Sequence, residues 1–221
     1  MGEWRELATP RGTVQAWLAR PEQAPRGAVV VVQEIFGVTA HVRAVAGRFA
    51  EAGYLAMAPA FFDLVEPGVE LAYDQAGIER GRVLIGELGL ERALEVVDAA
   101  ARTLRAEAGP VGVVGFCWGG TVAFLSATRL GLPAVSYYGA RNVQFLDEQA
   151  RAALMFHFGG HDRSIPPEAI AAHREKQPQA QVFIYADADH AFNRDPDPPY
   201  EPASAALAWR RTLDFLAEHL S

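Results

Sequence analysis

Val111-Gly112-Val113-Val114-Gly115-Phe116-Cys117-Trp118-Gly119-Gly120-Thr121 decides the reading of this chain. Four β-favouring positions run into two closely spaced glycines, and an apolar helical pattern follows at once, so the stretch predicts strand, sharp turn and helix with Cys117 at the tip. A Gly-x-nucleophile-x-Gly turn of this kind lifts a side chain out of the top of a sheet and points the next backbone N–H at it. A Cβ at Gly115 or Gly119 would clash in so tight a turn. Glycine-rich strand–helix turns also cradle phosphates or simply pack closely, so the motif leaves those alternatives open.

Working outward, Ala28–Val32 is a continuous β-branched run of the sort buried on both faces of a sheet. Thr39 predicts a cap for a helix reaching about Ala52, with Val42, Val45, Ala46 and Phe49 on one stripe. Further strands are expected over Tyr54–Ala58, Ala134–Tyr138, Leu154–Phe158 and Gln181–Tyr185. Helices are expected near Asp74–Gly86, Leu90–Ala108, Pro167–Lys176 and Ser204–Leu220. Trp4–Thr9 and Thr13–Ala19 read as a hairpin at a sheet edge, Pro59–Tyr73 as irregular, and Asp195–Pro202 as a proline-rich loop. Alternation of β and α units predicts an α/β fold, a mostly parallel sheet with helices on both faces. No repeat or composition break divides residues 1–221, so a single domain is expected.

Composition narrows the function. A net charge of −7 argues against nucleic acid and anionic membrane surfaces as partners. The single cysteine excludes an intrachain disulfide framework. The stretch MGEWRELATP has no apolar run of the signal-peptide kind, and no segment reaches the ~20 apolar residues of a membrane span, so a cytoplasmic location is expected.

In an open α/β sheet the ligand site lies beyond the carboxyl ends of the strands. The polar residues expected there are Glu34, Cys117, Asp162 and His190. A thiol needs a neighbouring histidine to take its proton, and that histidine needs a carboxylate on its other ring nitrogen. Cys117, Asp162 and His190 stand in the order nucleophile, acid, histidine, the order of α/β-hydrolases. Each has a plainer alternative: a small buried thiol, a turn carboxylate after Gly159-Gly160, a hydrogen-bonded loop histidine. Of the other histidines, His157 falls inside a strand and His41, His173 and His219 inside helical patterns, while His161 is expected to point away. An oxyanion would need two N–H donors, expected from Trp118 and from Ile35 after the first buried strand. Glu34 beside it is either a solvated loop carboxylate or a group that suppresses ionisation of the thiol or accepts its proton.

With these residues in view, the chain resembles the dienelactone hydrolase family of α/β-hydrolases along nearly its whole length. The resemblance is carried by Gln33-Glu34-Ile35-Phe36-Gly37-Val38, Gly115-Phe116-Cys117-Trp118-Gly119-Gly120, Ser136-Tyr137-Tyr138-Gly139, Gly159-Gly160-His161-Asp162 and His190-Ala191-Phe192. It implies an α/β-hydrolase fold, a Cys117–Asp162–His190 triad, and a switch role for Glu34, which accepts the thiol proton when an anionic substrate displaces it. The reaction implied opens a small ester or lactone, 4-carboxymethylenebut-2-en-4-olide to maleylacetate in the family, through a thioester and without metal or cofactor. Arg194, four residues after His190, matches one family arginine that would clamp a substrate carboxylate. The family's second arginine is followed by Tyr and Trp; here Arg80 and Arg82 are followed by Leu84 and Ile85. Phe36, Trp118, Tyr137 and Tyr138 are candidate pocket walls. A thiol sensor or ligand-binding protein on a hydrolase scaffold, and an acyltransferase, are the competing functions.

Overall fold

The computed structural model describes residues 2–196 and 198–220, in two compact units, residues 2–112 with Leu220 and residues 113–219. The expected proline-rich loop includes residue 197, which lies outside the described residues.

In the first unit β1 (Gly2–Thr9) and β2 (Gly12–Ala19) form the expected hairpin, in register from Gly2 opposite Ala19 to Thr9 opposite Gly12. β3 (Ala28–Val32) is buried at every position, as its unbroken apolar run requires. It pairs in parallel with β4 (Leu55–Pro59), and β4 pairs antiparallel with β2. Between them α1 (Ala40–Glu51) begins where the Thr39 hydroxyl accepts the Val42 N–H, and it buries Val42, Val45, Ala46 and Phe49. α2 (Gln75–Leu88) begins at Asp74, whose carboxylate accepts the Gly77 N–H at 2.8 Å. α3 (Leu90–Ala108) buries Leu94, Val97, Ala101 and Leu104 along one stripe. The stretch expected to be irregular contains one 3-10 turn, Phe61–Leu64, because Phe61 and Phe62 turn into the core.

β5 (Val111–Phe116) starts at the boundary and leads into the second unit. There β5, β6 (Ala134–Tyr137), β7 (Leu154–Gly159) and β8 (Gln181–Tyr185) pair in parallel in chain order. α4 (Trp118–Leu125) is buried on all sides, which explains its uniformly apolar sequence. It continues into a π-turn, Ser126–Leu130, that Gly131 ends at φ +66°. α5 (Pro167–Lys176) and α6 (Pro202–His219) complete the unit. Four of the six strand pairings described within the two units are parallel, so the α/β reading with mostly parallel strands holds, and the hairpin supplies the antiparallel part. Among the described residues no helix is long and apolar enough to cross a membrane.

Candidate active site

Cys117 occupies the turn between β5 and α4 with φ +55° and ψ −115°, a conformation that L-residues rarely adopt. The surroundings hold it there. Its N–H donates to the Tyr137 carbonyl at 3.0 Å, and its carbonyl accepts the Gly120 N–H at 2.9 Å. A Cβ at Gly115 would lie 1.8 Å from the Gly119 carbonyl oxygen, and one at Gly120 would lie 2.5 Å from the Tyr137 carbonyl oxygen. The glycines therefore allow strand and helix backbones to meet at the elbow, and the thiol stays partly exposed at its tip. Trp118 opens α4, where a helix directs its first N–H groups out past its own end.

Asp162 and His190 follow the ends of β7 and β8, and the two loops are tied together. Gly160 N–H donates to the Tyr185 carbonyl at 2.7 Å, and His161 N–H donates to the Ala188 carbonyl at 2.9 Å. Gly159 and Gly160 are small because a Cβ there would come within 2.6 Å of the Ala188 oxygen and 2.8 Å of the Ala186 oxygen. The result is a hydrogen bond between His190 Nδ1 and Asp162 Oδ2 at 2.8 Å, with the carboxylate side chain 1% and the imidazole 31% exposed. With Nδ1 occupied by the carboxylate, Nε2 is the ring nitrogen left free of Asp162, and Cys117 is near enough to raise the His190 pKa. Burial favours the neutral ring, but the bonds to Asp162 and Cys117, and their negative charges, outweigh it and push the His190 pKa up to about 11. Burial likewise opposes ionisation of Asp162, and the bonds from His190 and Ser164 overcome it, so its carboxyl sits below the usual range.

Strain gathers here. The non-glycine residues with positive φ, among those described, are Cys117, Tyr138 at +40° and Ala191 at +62°. Tyr138 directly follows β6, which is why that strand ends one residue before the expected position. Its N–H donates to the His157 carbonyl at 2.8 Å and its ring centre lies 5.1 Å from that of His190. Ala191 turns the chain immediately after the histidine. Such conformations persist only where neighbouring structure over-determines them.

Tyr137, expected as a pocket wall, is instead a core residue, 1% exposed, and its hydroxyl meets Thr212 Oγ1 at 2.7 Å. It belongs to a buried polar series. Arg211 donates to the Tyr185 hydroxyl at 3.2 Å, Tyr185 lies 2.8 Å from His157 Nδ1, and His157 Nε2 lies 3.1 Å from Thr212 Oγ1. Arginine only donates, so Tyr185 accepts from it. Burial, then the Arg211 charge, hold the His157 pKa down to about 3, so this histidine is neutral and structural, as its place inside a strand predicts.

The remaining expected residues lie as follows. Glu34 directly follows β3 and is 2% exposed, which overturns the picture of a solvated loop carboxylate. Ile35 presses its carbonyl against Gly81, where a Cβ would lie 2.2 Å from that oxygen. Phe36 packs edge-to-face on Tyr73 at 4.7 Å. Arg80 is ion-paired with Glu66 on the surface. The backbone N–H of Arg194 donates to the Ala191 carbonyl at 2.9 Å. Among the described residues no three His, Cys, Asp or Glu side chains gather as metal ligands would. Ser164 is the site residue the sequence reading missed. Its hydroxyl and N–H both donate to Asp162 Oδ1, and the Asp-x-Ser spacing, which favours such local turns, was the available signal.

The fold is that of an α/β-hydrolase-like protein, and comparison with known proteins agrees. The model of the dienelactone hydrolase family matches residues 14–220. A carboxymethylenebutenolidase of Pseudomonas putida is 35% identical over 216 residues, 93% of this chain and 91% of that protein. A solved structure from Klebsiella pneumoniae subsp. pneumoniae, provisionally named a dienelactone hydrolase, superimposes with a TM-score of 0.89 at 28% identity, covering 98% of each chain. The dienelactone hydrolase structure from Anabaena variabilis, at 19% identity and a TM-score of 0.73 over 100% of this chain and 99% of that one, shares the fold. The chain belongs to the dienelactone hydrolase family and is an ester or lactone hydrolase.

Proposed function

We propose that the chain hydrolyses a small anionic ester or lactone through a covalent Cys117 thioester, without metal or cofactor, as a single domain over residues 1–221 working in the cytoplasm. The observation that carries this reading is the 2.8 Å hydrogen bond between Asp162 and His190, with Cys117 close enough to raise the His190 pKa, at the ends of three parallel strands. Attack needs the ion pair, with His190 as imidazolium beside the Cys117 thiolate. The Cys117 Sγ thiolate attacks the carbonyl carbon, and the Trp118 N–H receives the oxyanion that develops. When the tetrahedral intermediate collapses, the carbon–oxygen bond breaks and the leaving oxygen takes the His190 proton. Neutral His190 then removes a proton from water, and the resulting hydroxide attacks the thioester. Collapse releases the acid, and the proton on His190 re-forms the ion pair with the Cys117 thiolate. Asp162 stays ionised and holds the ring in the tautomer with Nδ1 protonated.

Membership of the family supports 4-carboxymethylenebut-2-en-4-olide as a candidate substrate, with maleylacetate as product, and Arg194 as a clamp for its carboxylate. Cys117→Ala and His190→Ala are each expected to abolish turnover while circular dichroism stays that of the native fold. Rapid quenching followed by mass spectrometry should find an acyl group on Cys117. Undiminished ester hydrolysis in either variant would refute the mechanism.

A further inference from the structure

We propose that Ser164 is a positioning residue of the Asp162–His190 pair and keeps Asp162 ionised; the proposal rests on the acyl-transfer mechanism above. The two carboxylate oxygens have separate duties. Oδ2 faces His190 Nδ1 at 2.8 Å. Oδ1 accepts the Ser164 N–H at 2.9 Å and the Ser164 hydroxyl at 2.5 Å, and that hydroxyl oxygen also stands 3.2 Å from Nδ1. The proton positions follow. An ionised carboxylate only accepts, so Nδ1 carries a proton directed at Oδ2. Nδ1–H cannot accept, so the single hydroxyl proton of Ser164 goes to Oδ1, and an oxygen lone pair is left towards Nδ1–H. Ser164, Asp162 and His190 thus form a closed triangle.

Two consequences are independent of packing. Both carboxylate oxygens are engaged, so the group cannot rotate and withdraw Oδ2 from the histidine. A donor to the charged form also lowers the pKa of Asp162, against the burial that raises it. The other groups at hand act differently. Cys117 and the Tyr138 ring face His190. Asp189 accepts the His190 backbone N–H at 2.7 Å, and His161 and Arg163, the chain neighbours of Asp162, are exposed.

Ser164→Ala isolates the hydroxyl, because alanine keeps the backbone N–H bond and the residue is exposed enough to shorten without leaving a cavity. We expect kcat to fall about tenfold with KM nearly unchanged. The low-pH limb of kcat/KM should move up by as much as about one pH unit, since Asp162 then protonates more readily. Ser164→Thr, which restores a hydroxyl, should return both. Proton NMR of the free enzyme gives a reading that needs no turnover: the hydrogen-bonded Nδ1–H resonance of His190 should shift in the alanine variant and return in the threonine variant. An alanine variant with the wild-type limb and resonance would overturn the proposal, even if its melting temperature had dropped. Cys117→Ala separates the two ideas: activity surviving in it would remove the acyl-transfer mechanism, while the Nδ1–H resonance would still judge the triangle.

Discussion

His190 Nδ1 and Asp162 Oδ2 lie 2.8 Å apart although 28 residues separate them in sequence, because β7 and β8 are parallel neighbours whose ends release both side chains at the same edge. The carboxylate is almost wholly buried and the imidazole is not. That asymmetry fixes the tautomer from beneath and leaves Nε2 accessible to Cys117 and to a leaving group.

Asp162→Asn keeps the shape of the pair and removes its charge. An amide can donate to Nδ1, which favours the wrong tautomer, so kcat should fall about 10³- to 10⁴-fold. The imidazolium loses a principal support of its pKa of about 11, so the high-pH limb of activity should move down toward the ordinary histidine range. A pH–rate profile checks the sign, and an unmoved limb would contradict the assignment.

Acid should destabilise the fold through His157. Its folded pKa of about 3 lies below the unfolded value near 6.5, so the unfolded chain binds a proton that the native chain refuses. Stability is therefore lost as pH falls from about 6.5 toward 3, at up to about 1.4 kcal/mol per pH unit from this group. His173, depressed by its burial against a smaller opposing bond to Ala169, adds in the same direction. His190 acts at the other end, its contribution being full below about 6.5 and lost as pH rises through about 11. Urea unfolding of wild type and His157→Gln between pH 7 and pH 4 measures the slope, which should be shallower in the variant.

Glycines at the elbow and glycines in exposed helices should respond oppositely to a methyl group. Gly115→Ala and Gly120→Ala drive a Cβ into backbone oxygens at 1.8 and 2.5 Å and should cost about 3 kcal/mol or more, with loss of turnover. Gly47→Ala in α1 and Gly86→Ala in α2 meet nothing within 4 Å and should each stabilise by about 0.5–1 kcal/mol with activity intact. Thermal melts with a turnover assay read both.

If Arg194 clamps a substrate carboxylate, Arg194→Ala should lower kcat/KM about 10- to 100-fold for dienelactone and leave an uncharged aryl ester nearly unaffected. Equal losses on both esters would assign the arginine to loop structure instead.

The elements were legible because their signals are local. Thr39 and Asp74 cap helices through side-chain oxygens that reach only a few residues, and β3 needs nothing beyond its own valines to be recognised as buried. Signals failed where a distant contact decided the matter. Tyr137 looks like any aromatic at a strand end, and only the arrival of Thr212 from α6 makes it a core residue. Ser164 is an ordinary loop serine until His190 is brought beside Asp162.

For the elbow, sequence determined the residue types and their order: a thiol between glycines, then an acid, then a histidine. Tertiary structure alone decided the φ of +55° at Cys117, the 2.8 Å bond that orients His190 and the direction in which each pKa moves. Backbone propensity acts within a few residues and can be read along the chain. Desolvation and charge pairing depend on which strand ends pack side by side, and the chain sets those only once it is folded.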